Sequence, residues 1–426
     1  MISHLTNTVA TRFSSLIINF ILVILSTQLL GAEGRGVIGL FIAYYSLIML
    51  FVQFIGGSPI VYLGKEHPFF NLWLPSLFAN LMICLICIPL LSYFNDLDNA
   101  FNIHIAGMAF LHAFWHVNTY LMLSKERVKD NNLCNLFFVS SLLTSFILCF
   151  YLNGQVWDYI WALYVANGLT SVISQWLIIK DWRESIINYT PISNSIKALF
   201  KNGLIAQLAN VLQFLNYRIT YFILGQFVLI SDIGIYSACV QLCEALWVIA
   251  KSFSTVLYAR ISNEKDKSTQ VKLSLILAKT SLMLTFIMSV VLITIPEIVF
   301  AMIFGEEFIT LGITLKYLLP GIIAFGFSIL LSAYFSGNGQ FHINSTASLI
   351  GFIAIIPIAY LLIPKYGIQG AAMASSFSFI TSAIYLVWKF LKVSKLTLKE
   401  LWPKLSEIRQ VLNLFKNHLF GASQAQ

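Results

Sequence analysis

The sequence predicts an all-α polytopic membrane protein: twelve transmembrane helices in two parallel six-helix lobes around a central cationic cavity, with both termini cytoplasmic. Three observations predict it: composition, the spacing of apolar runs, and the placement of Lys and Arg. Of 426 residues, 58% are hydrophobic and 10% charged, with a mean hydropathy of +0.81, whereas a soluble domain has roughly a quarter of its residues charged. Runs of about 20 apolar residues, enough to cross a hydrocarbon core of roughly 30 Å, recur along the chain. They are residues 13–31, 36–57, 70–93, 102–123, 133–152, 157–179, 203–229, 233–258, 272–295, 311–335, 344–363 and 368–390, twelve in all. The connections are short. They hide no soluble domain, which removes most enzyme classes that need an aqueous catalytic module.

Orientation follows from the positive residues, because short cytoplasmic loops retain Lys and Arg. With the amino terminus inside, twenty of the 26 Lys and Arg fall on the cytoplasmic side, among them Arg12, Lys125, Arg127, Lys180, Arg260 and the seven from Lys389 to Lys416. The other side receives Arg35, Lys316 and Lys365, and the spans keep Arg218, Lys251 and Lys279. The formal net charge of +8 is then topology plus attraction to an anionic leaflet, and nucleic-acid binding is not indicated. A first span that runs straight into a multispanning chain needs no cleavable signal.

The lobes show as an internal repeat. Leu30-Gly31 followed by Gly39-Leu40-Phe41 recurs as Leu224-Gly225 followed by Gly234-Ile235-Tyr236, each time between the first two spans of a block of six. Six spans return the chain to its starting side, so the lobes are parallel repeats, an arrangement transporters use with a site at the lobe interface. The expected domains are residues 1–180, a cytoplasmic linker 181–202, a second lobe 203–391 and a cytoplasmic tail 392–426. In the tail Leu401, Trp402, Leu405, Ile408, Leu412 and Phe415 recur at helical spacing among lysines, which reads as an amphipathic helix on the membrane surface.

Helical spacing marks three polar stripes on otherwise apolar spans. The eighth span aligns Ser237, Gln241, Glu244, Lys251 and Thr255. The seventh aligns Gln207, Asn210, Arg218 and Tyr221, and the first aligns Thr8, Arg12, Ser15, Asn19 and Ser26. An arginine in hydrocarbon costs several kcal/mol unless it faces water or an anion, which makes Arg218 a functional-site hypothesis by default. Two readings of the charges stay open. Glu244 forms a structural ion pair with Arg218 or Lys251, or both cations serve a wet cavity; in either case one cation is left over, and an excess of positive charge favours an anionic substrate. Lys279, about 10 Å inside the cytoplasmic edge, either joins that cavity or snorkels to the headgroups.

Other candidates are weaker. The six cysteines, Cys84, Cys87, Cys134, Cys149, Cys239 and Cys243, fall in spans and read as small apolar fillers. His112 and His116, one turn apart on the fourth span, have better metal spacing, but no carboxylate accompanies them there, so a polar contact surface is the simpler reading.

Several runs carry a family resemblance. Asn216-Tyr217-Arg218-Ile219-Thr220-Tyr221-Phe222-Ile223-Leu224-Gly225, then Asp232-Ile233-Gly234-Ile235-Tyr236-Ser237 and Glu244-Ala245-Leu246-Trp247, resemble the seventh and eighth helices of polysaccharide exporters and O-antigen flippases. These belong to the multidrug/oligosaccharidyl-lipid/polysaccharide exporter superfamily. Leu30-Gly31-Ala32-Glu33-Gly34-Arg35-Gly36, Gly305-Glu306-Glu307-Phe308, Leu318-Leu319-Pro320-Gly321 and Tyr366-Gly367-Ile368-Gln369-Gly370-Ala371-Ala372 extend the likeness along the chain. Thr220 stands where members often have an acid, which removes an acidic coupling group from that position.

The resemblance implies a flippase in the bacterial inner membrane, moving an undecaprenyl-diphosphate-linked oligosaccharide from the cytoplasmic to the periplasmic leaflet by alternating access. Arg218 and Lys251 would bind the diphosphate or an acidic sugar, with Arg12 and Lys279 helping. Gln207, Asn210, Gln241, Tyr221 and Trp247 would contact sugar, and Glu244 and Asn19 would complete the polar lining. Gly56-Gly57-Ser58-Pro59 and Pro320-Gly321 are places for helices to break or bend. No cofactor or metal is expected; a coupling ion, proton or sodium, is left open. Membrane lipids are immediate partners, with a polysaccharide polymerase and a chain-length regulator as associates. Two other classes remain, a cation-coupled small-molecule exporter, which would favour an acidic cavity, and a membrane-embedded polymerase. The longest non-cytoplasmic segment, 296–310, offers Glu297, Glu306 and Glu307 without a basic partner.

Overall fold

The computed structural model describes the chain apart from residues 1, 65–66, 95–98, 188–191 and 402–426, and apart from the side chains of 2–10, 56, 58, 62, 94, 153, 185–187, 192–194, 198, 200–210, 259 and 263. Among these residues there is no strand. In order the helices are α1 (Ile2–Gly56), α2 (Ser58–Leu63), α3 (Phe69–Phe94), α4 (Asn99–Ser124), α5 (Val128–Asn153), α6 (Trp157–Ile187), α7 (Ile192–Leu224), α8 (Ile230–Asn263), α9 (Lys267–Thr294), α10 (Glu297–Phe304), α11 (Leu311–Gly337) and α12 (Phe341–Ser394). Short 3-10 turns cover Glu306–Phe308 and Leu398–Leu401. The expected tail helix lies almost wholly outside the described residues.

These twelve helices agree with the twelve expected spans only in number. α2 and α10 are pieces of 6 and 8 residues, while α1 and α12 run for 55 and 54 residues and each hold two expected spans. Their halves meet at Gly31 (φ 68°, ψ −174°) and Gly367 (φ 55°, ψ −131°). Only glycine adopts such angles at no steric cost, so the turn between paired spans is compressed into one residue. Among the described residues eight helices are long and apolar enough to cross a membrane. α4 is not one of them, because Asn102, His104, His112, His116 and Asn118 dilute its apolar residues.

The chain divides into two compact units, Met1–Phe214 and Leu215–Gln426, with the boundary inside α7. In the first unit α4 is central and packs on α1, α2, α3, α5 and α6. Its core includes Phe41, Ile105, Trp115, Phe146 and Ala166. In the second unit α11 is central and packs on α8, α9, α10 and α12, with Leu257, Leu330, Phe335 and Phe390 in the core. Large apolar side chains also cover the outside, among them Phe78, Val172, Trp176, Ile353 and Ile384. Helices that are apolar on every face are those of a membrane protein.

The two expected break points behave differently. After α1 ends at Gly56 the chain turns at Gly57, and α2 restarts with Pro59 in its first turn, where a missing N–H costs nothing. Pro320-Gly321 does not break α11. Instead Ser376 of α12 enters the helix ladder: its hydroxyl accepts the Gly321 N–H at 3.2 Å and donates to the Tyr317 carbonyl at 2.6 Å. Proline disturbs a helix by removing and displacing such bonds, and Ser376 restores one across the gap. A Cβ on Gly321 would overlap the Ser376 backbone, so the close approach requires glycine. One expectation is corrected here: Glu297 has a basic partner, Lys316 at 3.7 Å, nineteen residues on and invisible to helical periodicity.

Candidate functional site

The second unit holds Arg218, Glu244 and Lys251, the charged residues singled out on the seventh and eighth spans. Arg218 of α7 is held by Glu244 of α8, Nη2 to Oε1 at 3.3 Å, and its guanidinium lies 5.4 Å from the Tyr221 ring centroid, with the Tyr221 hydroxyl a further hydrogen-bond partner. Thus the ion-pair reading holds for Arg218. The pair is not sealed, since the Arg218 side chain keeps 20% and the Glu244 side chain 32% of their exposure. Lys251, two turns beyond Glu244, is exposed, with Nζ 5.7 Å from the Trp247 ring. One carboxylate therefore stands against two cations, and the region carries a net positive charge.

A packed aromatic frame backs these charges. Trp247 meets Phe325 at 4.7 Å and Tyr217 at 5.7 Å between ring centroids, and Phe379 stands 5.2 Å from Phe325. The Trp247 indole N–H donates to the Ile322 carbonyl at 3.2 Å. Trp247 is buried; its edge is bound and its faces are packed, so here it frames Lys251 and offers no open face for a sugar. Tyr221 is likewise buried, against Tyr236 at 5.3 Å. Gln241 is half-buried. Gln207 and Asn210 lie where side chains are not described.

Lys279 of α9 is 2% exposed, so it does not snorkel; its ammonium is inside the second unit. It sits beside a line of small polar residues, Ser274, Ser281, Thr285 and Ser289, all buried. Thr285 faces Gly326 of α11, where an added Cβ would stand 3.4 Å from its hydroxyl. Arg12 and Asn19 belong to α1 in the first unit, and both are exposed.

Sequence reasoning missed two polar networks that shape the second unit. Thr220 Oγ1 lies 3.1 Å from the Tyr236 hydroxyl, which lies 3.0 Å from Ser375 Oγ. The Asn216 amide meets Ser382 at 3.5 Å and accepts from the Ser378 hydroxyl. A Cβ on Gly351 would overlap this second group. The signal was present as Ser375, Ser376, Ser378 and Ser382 on one span, but small hydroxyls join helices in most membrane proteins and do not announce a particular partner. The burial of Arg35 was also missed. Read as a loop cation, Arg35 is 1% exposed, donates to Ser26 Oγ at 3.1 Å and bonds Tyr159 of α6, next to the kink at Gly31.

The first unit is polar in a different way. Asn167 and Asn118 tie α6, α4 and α3: Asn118 Oδ1 accepts from Trp73 Nε1 at 2.9 Å, and its amide donates to Ser174 at 3.0 Å. At one end of the unit Asp181 holds Lys125 at 2.5 Å and Arg127 at 2.8 Å, and His67 meets Ser195 of α7 at 2.8 Å. Among the described residues no group of three or more His, Cys, Asp or Glu is placed to hold a metal ion.

Comparison with known proteins places this architecture. Residues 4–265 match the family model described as polysaccharide biosynthesis protein. The capsular polysaccharide biosynthesis protein CapF of Staphylococcus aureus is 24% identical over 216 residues, 49% of this chain and 53% of that protein. A Shigella flexneri protein that bears the name O-antigen transporter is 23% identical over 238 residues, 54% of this chain and 55% of that protein. The chain thus spans about half the length of the curated relatives it matches. Among solved structures, the lipid II flippase MurJ in an inward closed conformation aligns with a TM-score of 0.75 at 16% identity, over 97% of this chain and 92% of that one. An inward-facing MATE family multidrug transporter of the MOP superfamily aligns with a TM-score of 0.70 at 15% identity, over 89% and 95%. At such identities these likenesses show the fold.

Proposed function

Because the chain belongs to the polysaccharide biosynthesis protein family, we propose that it is a flippase for an undecaprenyl-diphosphate-linked oligosaccharide, a repeat unit of O-antigen or of a similar surface polysaccharide. The names of its relatives, an O-antigen transporter, a capsular polysaccharide biosynthesis protein and a lipid II flippase, support a lipid-linked sugar as substrate. Physics supports the same class. A diphosphate bearing sugars does not cross hydrocarbon unaided, because each desolvated charge costs many kcal/mol, while the prenyl tail stays in lipid throughout. The observation that carries the reading is Arg218, a permanent cation inside a helix bundle, paired with Glu244 while a second cation, Lys251, stands exposed two turns along α8 from that carboxylate.

In this reading Arg218 and Lys251 take the diphosphate. Glu244 is the counter-ion that the substrate displaces, so the empty site does not leave Arg218 unpaired. Gln241 contacts sugar, and Tyr221 and Trp247 hold the two cations in place; Arg12, Asn19, Gln207 and Asn210 are the further substrate contacts that the sequence suggests. The chain crosses the bacterial inner membrane twelve times with both termini cytoplasmic, counting two crossings in each of α1 and α12. A polymerase and a chain-length regulator are the partners expected to receive the flipped unit. Transport by alternating access, without chemistry on the substrate, makes the protein a carrier and not an enzyme.

The test is complementation in a strain lacking the gene, with wild type and Arg218→Ala. The expected result is loss of surface polysaccharide and accumulation of complete, unpolymerised lipid-linked repeat units in the cytoplasmic leaflet. Accumulation in the periplasmic leaflet would instead indicate a polymerase, and normal polysaccharide without the gene would indicate a small-molecule exporter.

A further inference from the structure

Near the middle of α4, His112 and His116 stand one turn apart with ring centroids 4.4 Å apart and planes inclined by 32°. Neither takes part in the cationic group of the second unit. Their hydrogen-bond partners fix more than their positions. Asn167 Oδ1 lies 2.9 Å from His112 Nδ1 and 2.9 Å from Trp115 Nε1, while its amide nitrogen is 2.8 Å from the Leu163 carbonyl. An indole N–H only donates and a carbonyl only accepts, so Asn167 must present its oxygen to α4. His112 Nδ1 therefore carries a hydrogen, and its basic nitrogen is Nε2. His116 is held differently: its Nδ1 is buried without a hydrogen-bond partner.

The surroundings contain rings and no charge. Tyr45 of α1 is 5.4 Å and Phe138 of α5 is 5.5 Å from the His112 centroid, and Tyr120 of α4 is 5.8 Å from that of His116. From α6 the facing group is Asn167, while Trp73 of α3 packs on Phe114 and bonds Asn118, two residues beyond His116. Tyr45 and Tyr120 are the ionisable neighbours; among the described residues no carboxylate, lysine or arginine acts on either ring. A third metal ligand is also missing from the described residues, so the two imidazoles suit a proton better than a metal ion.

We propose that His112 and His116 form a one-proton binding site in the first unit, and that its loading accompanies substrate movement. This rests on the flippase reading for the transport step but not for the proton itself. The argument is geometric. Two basic nitrogens lie on adjacent, inclined rings inside the core of the first unit, where a buried ionisable group without a counter-ion calls for a reason. Two positive rings so close, with no counter-ion, would repel strongly, so the pair takes up one proton and titrates as a unit. The proton comes from water, resides on an imidazole nitrogen and is returned to water, with no other reactant.

The experiment is 15N NMR of the full-length protein, labelled at its histidine rings and held in lipid nanodiscs, titrated from about pH 8 down to about pH 3, through and below the range where a free imidazole changes charge. His112→Gln and His116→Gln provide the assignment, and each must match wild type in size-exclusion profile. The expected result is His112 in the Nδ1–H form when neutral, one proton taken up by the pair, and loss of the shared titration in either variant, leaving a single ring that titrates alone. Independent titration of two isolated rings, or His112 with its hydrogen on Nε2, would overturn the proposal. In liposomes supplied with the lipid-linked intermediates extracted from the deletion strain, His116→Gln should lower substrate-dependent proton movement at least tenfold; movement equal to wild type would also overturn it. Failure of wild type to move those lipids at any pH would refute the flippase reading alone, because the NMR titration does not depend on it.

Discussion

The two units build their interiors from different polar chemistry. Around α4 the first unit uses neutral groups, His112, Asn118, Trp115 and Asn167, each joined to a partner on another helix or one turn away. The second unit brings Arg218, Glu244 and Lys251 together on α7 and α8 and sets hydroxyl networks behind them. The difference teaches where each kind of ligand belongs. A fixed cation attracts an anion whatever the pH, while neutral imidazoles in a carboxylate-free setting offer only lone pairs, suited to a proton. If the comparison is right, changes to the charged group on α7 and α8 impair handling of the charged lipid, and changes to the neutral network around α4 alter structure or proton dependence.

The largest structural effect is expected where the second unit leaves no room. Gly351→Leu drives a side chain into Asn216, Ser378 and Ser382, and overpacking of this kind costs roughly 1–3 kcal/mol or more; the yield of monodisperse protein should collapse. In the first unit, Asn167→Leu strands the Trp115 N–H and frees His112. A buried donor left unpaired costs about 1–3 kcal/mol, so the melting temperature should fall, and unchanged melting would show that the neutral network contributes nothing to stability. Ser376→Ala should produce a loss of the same order, by opening the Gly321 and Tyr317 groups that the hydroxyl bridges.

These predictions separate what the sequence disclosed from what it concealed. Apolar helices of membrane length were legible because such runs have few other uses, eight qualifying among the described residues, and Gly31 and Gly367 were legible as punctuation, although not as single-residue kinks inside continuous helices. Arg218 and Glu244 were found as polar exceptions on apolar helices, and Lys251 by its place on the same face. Helical spacing sees only one helix at a time. It therefore missed Glu297 with Lys316, the Ser376 bridge and the burial of Arg35, each of which depends on a second segment. Trp247 was misread for a related reason: an aromatic ring beside a cation looks the same in sequence whether its faces are open or packed.

The smallest effect belongs to a surface feature. Asp266, outside the membrane spans, caps α9 by accepting from Ser268 N, Thr269 N and the Thr269 hydroxyl. The Thr269 hydroxyl, followed by the backbone N–H groups, holds its carboxyl below the ordinary aspartate value. A lowered folded-state value means that this contribution is present above the unfolded value of about 3.9 and fades as pH falls through the folded one. Asp266→Asn should therefore remove part of the acid sensitivity of the first turn of α9 in hydrogen exchange, without changing transport. A transport defect would mean that this loop does more than cap a helix.

The most direct test of the central claim is flipping in proteoliposomes of extracted lipid-linked repeat units, comparing wild type, Glu244→Gln and the double variant Arg218→Ala, Lys251→Ala. Hydrogen bonds to charged groups are worth about 1.5–3 kcal/mol each, and every 1.4 kcal/mol is about tenfold. The double variant should accordingly lose roughly 100-fold or more in transport while remaining folded, and Glu244→Gln should bind the lipid more tightly yet release it more slowly. Wild-type transport by a folded double variant would contradict the account, because the second unit would then have no use for the charges it holds.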